Sequence, residues 1–264
     1  MHATRPINGE VLHYDGTPGA HQLTALAEEV PVNIVYATLP HAVMMATPAD
    51  LEDFALGFSL TEGVIATAAD IRGIAITPVP RGIVVDVNLR PAALHRHMAR
   101  RRTLAGRTGC GICGIESLDQ LPEARPVSPG PAIPPAAIGR ALHALEDAQP
   151  LHRATRAVHA AAWCTPAGTL LLVREDVGRH NALDKLIGAC LRANHNPRTG
   201  FVLLTSRCSF EMVEKAAAFG ATSVVAISAP TALALDRALA LGITLVAIAR
   251  PDGALCFTPA PVPA

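Results

Sequence analysis

Cys110 and Cys113 lie in the segment GRTGCGICGIES (106–117), among four glycines at 106, 109, 111 and 114. Glycine frees the backbone and adds no side-chain cover, so the spacing presents both sulfurs from a loop. Upstream, Arg96, Arg100, Arg101, Arg102 and Arg107 form a basic run, with no acid between Asp86 and Glu116. Nearby positive charge favours the thiolate, which is the nucleophile. An activated thiol on a bendable loop suits a group carrier that visits two sites. The basic run by itself is more often a solvated face than a binding site.

A Cys-x-x-Cys pair also serves other chemistries. It is half of a structural zinc site, but no second such pair and no Cys and His pair of finger spacing accompanies it. A thioredoxin-type redox pair opens a helix directly after a strand, which the flanking glycines disfavour. A nucleobase deaminase would add a His-x-Glu motif and a proline before the first cysteine, and neither is present. The other four cysteines, at 164, 190, 208 and 256, stand singly in apolar surroundings, where cysteine behaves as a small hydrophobe.

A second dense segment is REDVGRHNALDKLIG (174–188), at a strand-to-helix turn, where open α/β sheets carry their sites. Asp176 reads as the N-cap, Arg179, His180 and Asn181 fall in the first helical turn, and His180 and Asp184 share a face four residues apart. Two similar turns follow. TSRCSFE (205–211) offers Ser206, Arg207 and Ser209 as the N-cap, and SAPTAL (228–233) offers Thr231. Helix N-termini favour anions. Three of them beside Arg250, which follows the last long strand, point to an anionic ligand. No Walker motif or Gly-x-Gly-x-x-Gly fingerprint supports ordinary ATP or NAD use.

The elements that position these groups follow from the pattern. The chain has 264 residues and a formal charge of zero; half of it is apolar and only 3% aromatic. Small aliphatics in alternating strand and helix patterns fit an α/β protein. Zero net charge gives no global field for nucleic acid. The mixed residues 1–20 and the short apolar runs predict a cytoplasmic protein with no membrane insertion. Residues 1–27 read as an irregular arm. Strands are expected at 32–37 and 41–46, turning at Leu39-Pro40, with a helix capped by Thr47-Pro48 and stopped at Gly63. A hairpin, 71–79 and 82–89, turns at Pro80-Arg81. Six prolines between 122 and 135 make an extended linker. Beyond a helix at 138–148, strands at 168–175, 201–205, 223–228 and 243–249 alternate with helices at 178–193, 209–219 and 231–241. That alternation predicts βαβ units with right-handed crossovers. The division is therefore an N-terminal α+β subdomain (1–105), a mobile cysteine loop (106–117), a proline-rich linker (118–135) and a C-terminal α/β part of the main domain (136–264).

Taken together, EVPVNIVY (29–36), HAVMMATPADLEDFALGFSLTEG (41–63), GRTGCGICG (106–114), REDVGRHNALDKLIG (174–188), SFEMVEKAA (209–217) and SAPTALALDRALALGITLVAIAR (228–250) resemble the formate dehydrogenase accessory sulfurtransferase family. The resemblance covers residues 29 to 258 with the motifs in order. It implies a cytidine-deaminase-like three-layer α/β sandwich with a smaller N-terminal subdomain. It implies a sulfurtransferase-type carrier that takes persulfide sulfur from a cysteine desulfurase. The sulfur then passes to the molybdenum bis(molybdopterin guanine dinucleotide) cofactor for formate dehydrogenase. The family's cysteine pair matches Cys110 and Cys113, the first being the usual persulfide carrier. Its cofactor-binding stretch matches Ala247, Ile248, Ala249, Arg250, Pro251 and Asp252, departing from a glycine-rich form at Pro251 and Asp252. The resemblance also implies a homodimer, GDP as a partial mimic of the cofactor, and no metal of the protein's own. Two other functions compete: a chaperone that binds the cofactor without sulfur transfer, and a zinc-dependent hydrolase of deaminase-like fold.

Overall fold

The computed structural model describes residues 2–102 and 124–258, the first of these segments without the side chains of 100–102. Cys110, Cys113, Arg107, the segment 106–117 and the start of the proline linker lie outside the described residues.

Strands β1 (Thr4–Glu10) and β2 (His21–Ala27) pair antiparallel without interruption, where the sequence suggested an irregular arm. Pro6 and Gly9 weaken the strand signal there, and cross-strand pairing supplies what propensity lacks. Strands β3 (Val30–Tyr36) and β4 (Leu39–Ala46) form the expected hairpin. Its turn falls at Ala37-Thr38, with φ of 49° and 69°, rather than at Leu39-Pro40. Two left-handed residues give a turn whose twist matches the strands it joins.

Helix α1 (Leu51–Thr61) begins later than Thr47-Pro48 predicts, with Asp50 at the N-cap in the left-handed region. Thr47 is drawn into a tertiary network instead. Its N–H donates to the Asp176 carboxylate (3.0 Å), its hydroxyl accepts from Val177 N–H (3.1 Å), and its carbonyl accepts from Lys185 Nζ (2.9 Å). Strands β5 (Ile71–Val79) and β6 (Gly82–Leu89) turn at Pro80-Arg81 as the spacing predicts. Parallel pairing of β3 with β6 completes a four-stranded sheet in the order β4-β3-β6-β5. Ile34, Val85 and Val87 of this sheet pack with Phe54 and Phe58 of α1. Helix α2 (Pro91–Arg102) carries the basic run from Arg96 to Arg102, and Arg96 pairs with Asp70 at 3.2 Å.

After irregular residues 124–134 come α3 (Pro135–Asp147), α4 (Pro150–Thr155), β7 (His159–Cys164), β8 (Leu170–Asp176) and α5 (Arg179–Arg192). Then follow β9 (Phe201–Leu204), α6 (Phe210–Phe219), β10 (Ser223–Ala226), α7 (Ala232–Leu241), β11 (Thr244–Arg250) and β12 (Gly253–Cys256). Their sheet has the order β12-β11-β10-β9-β7-β8. Strands β9, β10 and β11 are parallel neighbours, as the alternation predicts. Strand β7 sits antiparallel between β8 and β9, and β12 is antiparallel at the edge, so the sheet is mixed. The alanine-rich HAAAWC strand carries little β signal of its own.

This sheet is buried on both faces, which explains its continuous apolar runs. Val202 and Leu204 of β9 pack with α5, α6 and α7, whereas Phe201 and Leu203 pack with α3. Helices α1 and α5 lie between the two sheets with their backbones in contact. A Cβ on Gly57 would stand 1.8 Å from the Asp184 carbonyl oxygen, and one on Gly188 1.9 Å from that of Asp53. Only glycine permits that approach. Buried Asp53 locks the same interface, accepting from Arg174 (2.7 Å) and Arg192 (2.9 Å).

Candidate functional site

The three strand-to-helix turns singled out in the sequence do lie along one edge of the six-stranded sheet. Thr231 N–H donates to the Cys208 carbonyl (3.0 Å) and Cys208 N–H to the Ala229 carbonyl (3.3 Å), so the turns before α6 and α7 are stitched together. Ile248 N–H donates to the Ser228 carbonyl (3.2 Å), and the Arg250 guanidinium donates to the carbonyls of Ile227 and Ala249. At the other end, His180 Nε2 stands 4.0 Å from a Glu211 carboxylate oxygen at the start of α6.

Individual roles differ from the sequence reading. Gly178, not Asp176, is the N-cap of α5. Asp176 is the last residue of β8, fully buried, and gathers four donors: Gly178 N–H (2.8 Å), the Asn181 amide (3.0 Å), Thr47 N–H and Lys185 Nζ (2.6 Å). Asn181 also donates to the Met45 carbonyl (2.8 Å), which makes it a brace between α5 and β4. Thr231 is the N-cap of α7 and accepts from Ala234 N–H (3.2 Å). Ser209 caps α6 by position only, since its side chain makes no cap hydrogen bond. Ser206 is buried and donates to the Arg207 carbonyl (3.1 Å), while the Arg207 side chain is exposed. In the C-terminal stretch, Ala247 and Ala249 belong to the cores on opposite sheet faces. Ile248 adopts φ 53°, where the β11–β12 register shifts. A β-branched residue at positive φ is strained, and this kink turns Arg250 outward.

Some of the candidate residues line two separate cavities, and Arg179, Ser206, Arg207, Thr231 and Ala247–Ala249 line neither. One cavity, of about 500 Å³, lies between α3 and the β11–β12 hairpin, with Ile133, Ile138 and Leu142 on one side and Arg250, Pro251 and Asp252 on the other. It is largely apolar, with Arg250 as its cation. The second, of about 330 Å³, lies where β4 meets the helices, and His180, Asn181 and Asp184 line it.

Sequence reading missed two further groups at this second cavity, Lys215 and Glu62. Lys215 Nζ, on α6, holds both Asp184 oxygens (3.0 and 2.9 Å), the Thr61 hydroxyl (2.9 Å) and, at 3.6 Å, Glu62. Burial opposes its charge, but the Asp184 and Glu62 carboxylates overcome that and raise its pKa; burial raises that of Asp184 against the pull of Lys215. The only signal in the sequence was a lysine on the alanine-rich side of a helix. Among the described residues, no group of three His, Cys, Asp or Glu is gathered to hold a metal ion.

Burial, Arg179 and Lys215 push the His180 imidazole down to about 4. As pH falls below 6.5 the unfolded chain takes up this proton first, so stability present above that pH is lost down to about pH 4. The full loss is about 3 kcal/mol. In urea denaturation, His180→Phe is expected to flatten the pH dependence across that window relative to the parent. Identical profiles would contradict the assigned neutral imidazole.

Thiols at 164, 190 and 208 are fully buried, and burial raises each to about 12, so none is a nucleophile near neutral pH. No helix among the described residues is long and apolar enough to cross a membrane.

Comparison with known proteins places this architecture. A sulfur carrier protein FdhD from Bordetella petrii is 49% identical over 240 residues, covering 90% of this chain and 86% of the relative. One from Agrobacterium fabrum is 49% identical over 246 residues, covering 92% and 90%. The crystal structure of a candidate formate dehydrogenase accessory protein from Desulfotalea psychrophila superposes with a TM-score of 0.77 at 26% identity, covering 97% of both chains. The model of the FdhD/NarQ family matches residues 27–261, and the chain belongs to that family.

Proposed function

We propose that the protein is a sulfur carrier serving formate dehydrogenase. The observation that carries this is near-50% identity, over nine-tenths of the chain, to relatives named sulfur carriers. The Cys110–Cys113 pair is the group that would do it, since the buried thiols are unreactive. In this reading the Cys110 thiolate attacks the outer sulfur of a cysteine desulfurase persulfide. The desulfurase thiolate leaves, and Cys113 assists the transfer. The acceptor is the molybdenum bis(molybdopterin guanine dinucleotide) cofactor, bound as substrate. Its anionic groups would meet Arg250, Arg207, Arg179 and the helix N-termini along the sheet edge, and Pro251, Asp252, Ser206 and Thr231 border the same strip. The family's cytidine-deaminase-like sandwich, the division at the cysteine loop, a homodimer and a cytoplasmic location complete the reading.

Two measurements test it. Mass spectrometry of the Cys110–Cys113 peptide, after incubation with a desulfurase and cysteine, is expected to show one added sulfur atom. An unmodified peptide would refute the carrier role. Calorimetry with GDP tests the acceptor site. Arg250→Ala is expected to weaken binding on the order of tenfold or more, because a charge-assisted hydrogen bond contributes about 1.5–3 kcal/mol. No binding by the parent at millimolar GDP would remove the guanine site from the reading.

A further inference from the structure

Successive residues of a strand point to opposite faces, so the four-stranded sheet presents two surfaces. One packs on α1 through Val32, Ile34, Met44, Val85 and Val87. No helix or other sheet among the described residues packs along the opposite surface. The strand registers lay that surface out in three rows. Met45 and Val79 end the first, Val43 and Val84 stand in the second, and Val35 and Asp86 are neighbours in the third. Val43, Met45 and Val79 are 57%, 46% and 41% exposed. A sheet with one wet face alternates apolar residues with polar ones. Here the outward set is nearly as apolar as the inward one, and Asp86 is the single charge in the three rows. A contiguous apolar face of this kind marks a contact surface.

Charge and size select a second copy of this chain as the occupant. A two-fold contact sets a patch against the same patch of its partner, so repeated charges of one sign would repel across it. With Asp86 alone, at the margin of the rows, that cost is small. A partner docking by charge would need a charged surface, which this face does not offer. Four strands about 4.8 Å apart and three rows about 6.6 Å apart give a footprint of roughly 400 Å². With the relief of the side chains, two such faces bury on the order of 1,000 Å², the lower bound for a specific interface. Apolar sheets pack face to face with interdigitating side chains, which is the geometry this surface allows. An interface at that lower bound dissociates on dilution.

We propose that the chain self-associates through the outward face of its four-stranded sheet, with Val84 close to the two-fold axis. The proposal rests on the homodimer of the sulfur-carrier reading and names the surface that forms it. Sedimentation equilibrium of the full chain, across micromolar concentrations, is expected to show a dimer that dissociates on dilution. Val84→Glu sets a carboxylate against its own copy. It is expected to weaken the dimer on the order of tenfold or more, because like charges placed opposite each other repel, with the circular dichroism of the parent retained. Leu239→Glu, at an exposed position of α7 on the other sheet, is expected to leave the dimer as in the parent. Mixing Val84→Glu with Val84→Lys is expected to restore association, since opposite charges then meet. A parental dimer in folded Val84→Glu, or a mixture that stays monomeric, overturns the proposal alone and leaves the homodimer to another surface. A monomeric parent overturns both, and gives this face to a different protein or to the chain's own remaining residues. The sulfur-carrier role is decided separately, by the mass of the Cys110–Cys113 peptide. If Val84→Glu does not fold, Thr77→Glu, an exposed position in the same row, carries the decision.

Discussion

Replacing Cys110 with alanine is expected to reduce formate dehydrogenase activation to the background of cells lacking the protein, with the melting temperature unchanged. A carrier without its nucleophile has no partial activity to fall back on, because the group that bonds the cargo is gone. The other thiols give no substitute. Cys164, Cys190 and Cys208 are buried in the two cores of the six-stranded sheet, and their ionisation is suppressed. Cys256 is exposed, but its Sγ is held 3.0 Å from the Thr258 carbonyl oxygen on the far edge strand. Cys113→Ala is expected to impair activation less completely. Client activity in a Cys110→Ala strain, with the melting curve of the purified variant, checks both halves. Full activity, or unfolding caused by the substitution, would defeat the assignment.

How far the sequence reaches depends on what sets each feature. Hairpin β5–β6 and the β9–α6–β10–α7–β11 run were legible because local signals and tertiary structure agree. Thr47-Pro48 and Asp176 misled for a shared physical reason. Each has the local chemistry of a helix cap, yet each serves the other across the β4–α5 junction, 129 residues apart in sequence. Strand β7 was missed because alanine carries no pattern, and its burial between β8 and β9 is decided by the sheet. At the site, the helix N-termini and Arg250 were legible as local motifs, but the placing of Arg250 and His180 on different cavities was not. The docking of α1 on α5 through Gly57 and Gly188 was not legible either, being a close approach no periodicity announces. Lys215 reads as one more surface lysine until Asp184 and Glu62 are brought to it.

That same lysine gives the largest expected effect on stability. Lys215→Met keeps the length and the apolar stem of the side chain and removes only the charge and its hydrogen bonds. Asp184, whose side chain is 2% exposed, then loses the cation that holds both of its oxygens. Removing one member of a buried pair costs ~3–5 kcal/mol, because the remaining charge stays desolvated and uncompensated. Burial already raises the Asp184 pKa, and without Lys215 it rises further. A carboxyl group raised in the folded state binds its proton there more tightly than in the unfolded chain. Its penalty is therefore absent at low pH and grows as pH rises from its unfolded value near 3.8 through the raised folded one. The deficit of the variant is expected to be greatest near neutral pH and to shrink on acidification. Adding Asp184→Leu to Lys215→Met is expected to recover part of the loss, since an apolar replacement has no charge to strand. Urea midpoints for both variants, near pH 7 and near pH 5, test the account. A loss below about 1 kcal/mol at neutral pH would mean the network is solvated rather than buried. The α1–α5–α6 junction would then not be what holds the walls of the smaller cavity in place.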